Sequence, residues 1–180
     1  MIQAGSGSAT EVGMSFLTDD QKALALEIAS LLTPRNQTVA VAESTTGGLV
    51  SAALLWVPGA SKYYAGGGVT YTLNSRTALA GVSPEAYVNY QGTTPEMLLS
   101  LAEAMRSRLG AIWCVAESGL AGPTPGRSGA APGRTTVAIA GPDSSTEVFE
   151  TGSADREANM IEFTTLALRK FRDALQETAV

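Results

Sequence analysis

Two strand-like runs in this 180-residue sequence end in the same dipeptide, and each runs into a glycine-bearing turn. They are Glu43-Ser44 in AESTTGG and Glu117-Ser118 in AESGLAGP. A serine hydroxyl at a strand end is a candidate nucleophile, and glycine lets a ligand approach the backbone closely. In open α/β sheets ligands bind just beyond the carboxyl ends of strands, and amides at a helix N-terminus suit an anion such as phosphate. Neither G-x-x-x-x-G-K-[ST] nor G-x-G-x-x-G occurs, so the turns are not standard nucleotide loops. Two readings stand at this point: a ligand site, or plain strand-to-helix turns.

A serine nucleophile needs a base, and the chain contains no histidine. That removes Ser-His-Asp and Cys-His catalysis and most zinc sites. Lysine is the usual substitute, and only Lys22, Lys62 and Lys170 occur. Lys22 and Lys170 fall on helical segments where solvated positions are expected. Lys62, in GASKYYAGGG, falls nearer the candidate turn, although a surface-loop lysine is the plainer reading. Tyr63, Tyr64 and Tyr71 can donate hydrogen bonds or stack on a ring, or simply pack. Cys114 reads as a small buried hydrophobe. Asp155-Arg156-Glu157 reads as helix-end charge, with Arg156 able to reach an anion.

The elements that position these residues alternate in period. Thr18-Asp19-Asp20 starts a helix, with Leu24, Ile28, Leu31 and Leu32 on one face until Pro34. Thr38 to Ala42 reads as a buried strand, and Gly48 through Trp56 as a helix stopping at Pro58-Gly59. Gly68 to Thr72 reads as a second strand entered through Gly66-Gly67-Gly68. Pro95 follows Thr94 as a first helical residue, with Leu98, Leu101, Met105 and Leu109 forming the face. AIWCVAES is a third strand, followed by a Gly/Pro-rich loop from Gly119 to Arg134. Thr135 to Ala140 and Thr146 to Glu150 read as a hairpin about Gly141-Pro142-Asp143. The last helix starts near Ala154 and carries Met160, Phe163, Ala167, Phe171 and Leu175. The pattern predicts a single three-layer α/β/α domain with a mixed β-sheet over 17–180, after a flexible tail over 1–16.

Composition agrees with a packed fold: 44% hydrophobic and 16% charged residues. A net charge of -5 argues against nucleic acid or an anionic membrane surface as partner. No apolar run is long enough to span a bilayer, and the N-terminus lacks the features of a signal peptide. A lone cysteine forbids an internal disulfide and fits a reducing, cytoplasmic setting. Trp56, Trp113 and the Leu/Met-rich helix around Leu98 suggest surplus apolar surface, and so a homo-oligomer.

Taken together, AESTTGGLVSAAL, YYAGGGVTYT, AGV, ESGLAGPTPG and GSADRE resemble, in order and spacing, the CinA C-terminal domain family, from about Leu17 to Leu175. Many members of that family are nicotinamide-nucleotide amidases. The resemblance implies a domain that hydrolyses the carboxamide of nicotinamide mononucleotide to nicotinate mononucleotide and ammonia, without a metal or organic cofactor. It puts the nucleophile on Ser44, the strand tyrosine on Tyr71, and the family's lysine on Arg76. With the two turns as the pocket, Glu43, Thr45, Thr46, Gly47, Gly48, Ser118, Gly119 and Gly122 become the substrate contacts. The chain departs from the family pattern in three places. Arg76 replaces a lysine, Thr45 replaces a frequent cysteine, and TPGRSGAAPGR replaces a frequent Asp-Gly-Gly after Pro123.

The first departure matters chemically. Lysine can lose its proton when buried, whereas arginine effectively cannot. Arg76 can orient Ser44, bind a phosphate or stabilise an oxyanion. Three functions stay open on the sequence: the amidase, a catalytically impaired homologue that binds a pyridine nucleotide or related ligand, and an amidase with a shifted substrate. Lys62 is the candidate replacement base.

Overall fold

The computed structural model describes residues 15–178. Residues 1–14 lie outside the described residues, and with them most of the tail expected over 1–16. Thr18 caps the first helix, α1 (Asp19–Leu32), in a reciprocal capping box with Gln21. Then come β1 (Val39–Glu43), α2 (Leu49–Trp56) and β2 (Tyr64–Val69). A single helical turn, α3 (Leu73–Ser75), continues into a π-helical turn, Arg76–Ala80. The chain then builds α4 (Pro95–Leu109), β3 (Trp113–Leu120), β4 (Arg134–Ala140), β5 (Ser145–Glu150) and α5 (Arg156–Glu177).

The sheet order is β2-β1-β3-β4-β5. β1 runs parallel to both β2 and β3, while β4 and β5 are antiparallel, so the sheet is mixed as expected. Side chains alternate across it. Val39, Val41, Trp113, Val115, Val137 and Ile139 pack on one face with α1, α2 and α5. Ala40, Ala42, Cys114, Ala116, Ala138 and Ala140 form the other face, small enough for α4 to lie close. That makes three layers.

The expected second strand, Gly68 to Thr72, is displaced. The observed β2 holds all three glycines inside it, paired with Ala40, Val41 and Ala42. A Cβ on Gly67 would stand 2.6 Å from the Val41 carbonyl oxygen, so Gly67 serves close strand approach rather than strand entry. The third strand runs on to Leu120, which puts Ser118 and Gly119 inside it. The premise for surplus apolar surface also changes. Trp113 and Leu98 are fully buried, Leu109 is 38% exposed, and Trp56 lies partly under the Lys22 ammonium. Cys114 is buried, as its alternation implied. Among the described residues no helix is long and apolar enough to cross a membrane.

Candidate functional site

The chain leaves β1 through α2 to reach β2, on one side of β1. It then returns over the opposite face through α4 to β3, on the other side of β1. Such a reversal opens a crevice at the carboxyl ends of the strands. β1 and β3 are in register, with Glu43 opposite Glu117, so Ser44 and Ser118 arrive side by side at that crevice.

The two glutamates do not face it. Glu43 is fully buried, and its carboxylate sits at the N-terminus of α2. Its Oε2 accepts from the Gly48 amide at 2.9 Å, the Val50 amide at 3.1 Å and the Thr46 hydroxyl at 2.7 Å. Its Oε1 accepts from the Ser51 amide at 3.0 Å and the Ser51 hydroxyl at 2.6 Å. A negative charge at a helix start is favourable, and here the chain supplies its own anion. Gly48 takes φ 107, a left-handed conformation suited to glycine, to bring that amide onto Glu43.

Glu117 is its counterpart under the Ser44 turn. It accepts from the amides of Thr45 at 2.9 Å and Thr46 at 3.0 Å, and from the Thr135 hydroxyl at 2.7 Å. Burial pushes its carboxyl above the usual range, against the lowering effect of the Thr135 hydroxyl first, then the Thr46 and Ser44 amides. The sequence reading put Glu43, Thr46 and Gly48 against substrate; the structure instead commits their polar groups to holding the turn. The Gly47 amide bonds the Ser44 carbonyl at 3.3 Å. The helix start is therefore not an open anion site.

What faces outward is a cavity of about 290 Å³ lined by Thr45, Tyr71, Gly119 through Gly122, Thr124 and Arg156. Thr45 and Gly119 lock its floor: the Gly119 amide donates to the Thr45 hydroxyl at 2.7 Å, and that hydroxyl lies 3.0 Å from the Gly119 carbonyl. Tyr71 is 59% exposed over the cavity. Arg156, just after the Asp155 cap of α5, donates to the Gly122 carbonyl at 2.9 Å. Four of the expected contacts thus gather around one cavity: Thr45, Tyr71, Gly119 and Gly122. Ser44, immediately before Thr45, is buried at 6% exposure. A second cavity, about 300 Å³, lies among Leu73, Asn74, Thr77, Pro84 and Tyr87 and contains none of the expected site residues.

Arg76 is where the structure is most specific. It opens the π-helical turn, a form frequent at functional sites, and is only 2% exposed. Its guanidinium donates to the Thr93 hydroxyl at 3.1 Å, the Ser118 hydroxyl at 3.0 Å and the Thr70 carbonyl at 3.4 Å. Tyr87 and Tyr90 flank it at 5.8 and 6.0 Å. Among the described residues, nothing basic bonds the Ser44 hydroxyl. Lys22 pairs with Asp19 and Lys170 with Glu147. Lys62 is exposed and precedes β2 at the sheet end opposite Ser44, roughly 16 Å of strand away. Lys62 as replacement base is therefore corrected: parallel pairing carries its neighbour Tyr64 to Val39, not to Glu43. Thr93 and Tyr90 escaped sequence reasoning, because NYQGTTP looks like a loop ahead of a helix cap. Among the described residues no cluster of His, Cys, Asp and Glu could hold a metal.

Comparison with known proteins adds kinship. The family model described as "CinA C-terminal domain" matches residues 21–175. A CinA-like protein of Desulfosudis oleivorans is 36% identical over 166 residues, covering 92% of this chain and 40% of that protein. One from Prochlorococcus marinus is 35% identical, covering 93% of this chain and 36% of its own. The chain thus spans about two fifths of the length of these relatives. Among solved structures, the competence/damage inducible protein CihA from Agrobacterium tumefaciens superposes with a TM-score of 0.81 at 29% identity, covering 91% of this chain and 99% of that one. The competence or damage-inducible protein from Enterobacter asburiae gives 0.81 at 26%, covering 88% and 99%.

Proposed function

The chain belongs to the CinA C-terminal domain family, and from that premise we propose that it hydrolyses the carboxamide of a nicotinamide nucleotide, releasing ammonia. The observation that carries this reading is the crevice itself. Thr45, the residue directly after the strand-end Ser44, lines a cavity together with Tyr71, Gly119 to Gly122 and Arg156.

In this reading the pyridine carboxamide enters beside Ser44 and Tyr71, and the nucleotide phosphate lies toward Arg156. The Ser44 oxygen attacks the carboxamide carbon, forming an ester and breaking the carbon–nitrogen bond. The serine proton leaves with the nitrogen as ammonia, and the Tyr71 hydroxyl, on the same cavity, relays it. Water then cleaves the ester, giving the pyridine carboxylate and restoring Ser44. Glu43 and Glu117 hold the turn in place and touch no substrate. No metal or organic cofactor takes part in this scheme.

A second reading, recognition of the nucleotide without hydrolysis, is favoured by one observation. Arg76, at the family's lysine position, bonds Ser118 and cannot accept a proton. The two readings separate on ammonia release from nicotinamide mononucleotide measured beside direct binding of the same nucleotide. Release lost in Ser44→Ala supports the amidase; binding without release supports recognition. Self-association is proposed on the apolar side chains that stay exposed, Leu55, Trp56 and Leu79 among them, and gel filtration with light scattering tests it; a cytoplasmic setting is proposed from the lone cysteine.

A further inference from the structure

The two edges of the sheet are not alike. One edge is β5, which carries Glu147 and Glu150 on exposed positions, with Glu147 paired to Lys170 at 3.1 Å. Charges on an edge strand discourage another strand from adding there. The other edge is β2, whose sequence YAGGGV holds no charge and no proline, and only β1 pairs with it.

The outward backbone groups of β2 follow from alternation. The Thr70 amide donates to the Glu43 carbonyl at 2.7 Å, so Gly66, Gly68 and Thr70 turn their amides and carbonyls toward β1. Gly67 and Val69 turn theirs away from it, and both residues are exposed. Among the described residues nothing pairs with that side of the strand. The register shift between Val39 and Ala40 falls at Ala65, which leaves Gly66 to Val69 as the regular part of the edge.

Apolar side chains flank it. Leu79 and Leu109 are exposed on the α4 side. The Leu79 Cδ1 lies 3.4 Å from where a Gly68 Cβ would stand, and the Leu109 Cδ1 lies 3.4 Å from that of Gly66. Charge points to the occupant. The chain carries 17 acids and a net charge of -5, yet none of those acids falls between Glu43 and Glu85. Two copies can therefore meet along this edge without bringing acids of either segment together.

We propose that the β2 edge is the contact between two copies of this chain, paired antiparallel about a two-fold axis at Gly68. The edge matches itself in that register. Gly68 lies opposite the partner's Gly68, in the closely spaced kind of pair, about 4.5 Å between Cα atoms, where neither copy brings a side chain. Gly67 then meets the partner's Val69, and Val69 meets the partner's Gly67, each pair exchanging two backbone hydrogen bonds. The same axis turns Leu79 toward the partner's Leu79. This inference rests on the self-association proposed above and gives it a surface and a symmetry.

The test is sedimentation equilibrium of the whole chain, which is expected to be a dimer. Leu79→Lys and Val69→Lys are each expected to raise the dimer dissociation constant at least about a hundredfold. Urea midpoints confirm that both variants fold, and should one fail the other decides. Ile161→Lys, on α5 and equally a new surface charge, is expected to leave the dimer unchanged. In the dimer, Leu79→Cys is expected to cross-link through a short bis-maleimide and Ile161→Cys is not, with the native Cys114 buried. A dimer that survives both edge lysines overturns the β2 contact and leaves self-association standing. So does a dimer that Ile161→Lys weakens as much as they do. Failure of Leu79→Cys to cross-link overturns the axis at Gly68. A monomeric wild type overturns the proposal together with self-association, and leaves the edge to a strand of another protein.

Discussion

The Arg76 guanidinium donates to the Ser118 hydroxyl at 3.0 Å, and through it a cation of the π-helical turn is fastened to the end of β3. Ser44, on the neighbouring strand end, has no such partner among the described residues. The nucleophile expected from the sequence and the residue at the family's lysine position are thus brought to one crevice without being bonded to each other.

That separation makes Arg76→Lys informative. A lysine amine in this buried place can shed its proton and take one from a serine, which arginine effectively cannot. The turnover number for carboxamide hydrolysis is expected to rise at least roughly tenfold, with a new pH-dependent limb. Steady-state ammonia release across pH measures both; an unchanged turnover removes proton acceptance as the missing element.

Glu43 replaces a ligand at the start of α2, so its loss should be felt in folding. Glu43→Gln keeps the shape, removes the charge and turns an amide group toward the helix-start amides it must satisfy. A destabilisation of about 1–3 kcal/mol is expected in urea unfolding. A change within a few tenths of a kcal/mol would show that the carboxylate does not cap the helix.

Glu117 gives a pH dependence of known sign. Burial raises its folded-state pKa above the unfolded value, so the folded protein binds the proton more tightly. Its contribution is fully present below the ordinary glutamate pKa and is lost as pH rises through the higher folded value. Urea midpoints measured upward from about pH 4 should therefore contain a falling component that Glu117→Gln lacks. Parallel curves for the two proteins would contradict the assignment.

Gly122 ties the cavity wall to α5. It adopts φ 97, and a Cβ there would stand 2.5 Å from the Ala154 carbonyl oxygen. Gly122→Ala is expected to cost about 1–3 kcal/mol and to raise KM more than it lowers kcat, because the Gly122 carbonyl positions Arg156. An equal effect on both constants would place the damage elsewhere.

Much of this was legible in the chain. The Thr18 cap, the buried run into Glu43 and the hairpin about Gly141 carry local signals strong enough to survive folding. β2 was misplaced because glycine usually marks a turn, and only its partner strand shows why Gly67 must lie against Val41. Glu43 and Glu117 were read together with the serines that follow them, yet strand alternation sends Glu117 and Ser118 to opposite faces of the sheet. Thr93 and Tyr90 were invisible, since their role comes from a fold that carries a loop residue to a strand 25 positions onward.

The most direct test of the central claim is ammonia release from nicotinamide mononucleotide by the purified chain, run beside Ser44→Ala. The account predicts release by the wild type and its loss in the variant, with the nucleotide still bound. Release undiminished by Ser44→Ala, or no release from a wild type that binds the nucleotide, would contradict it.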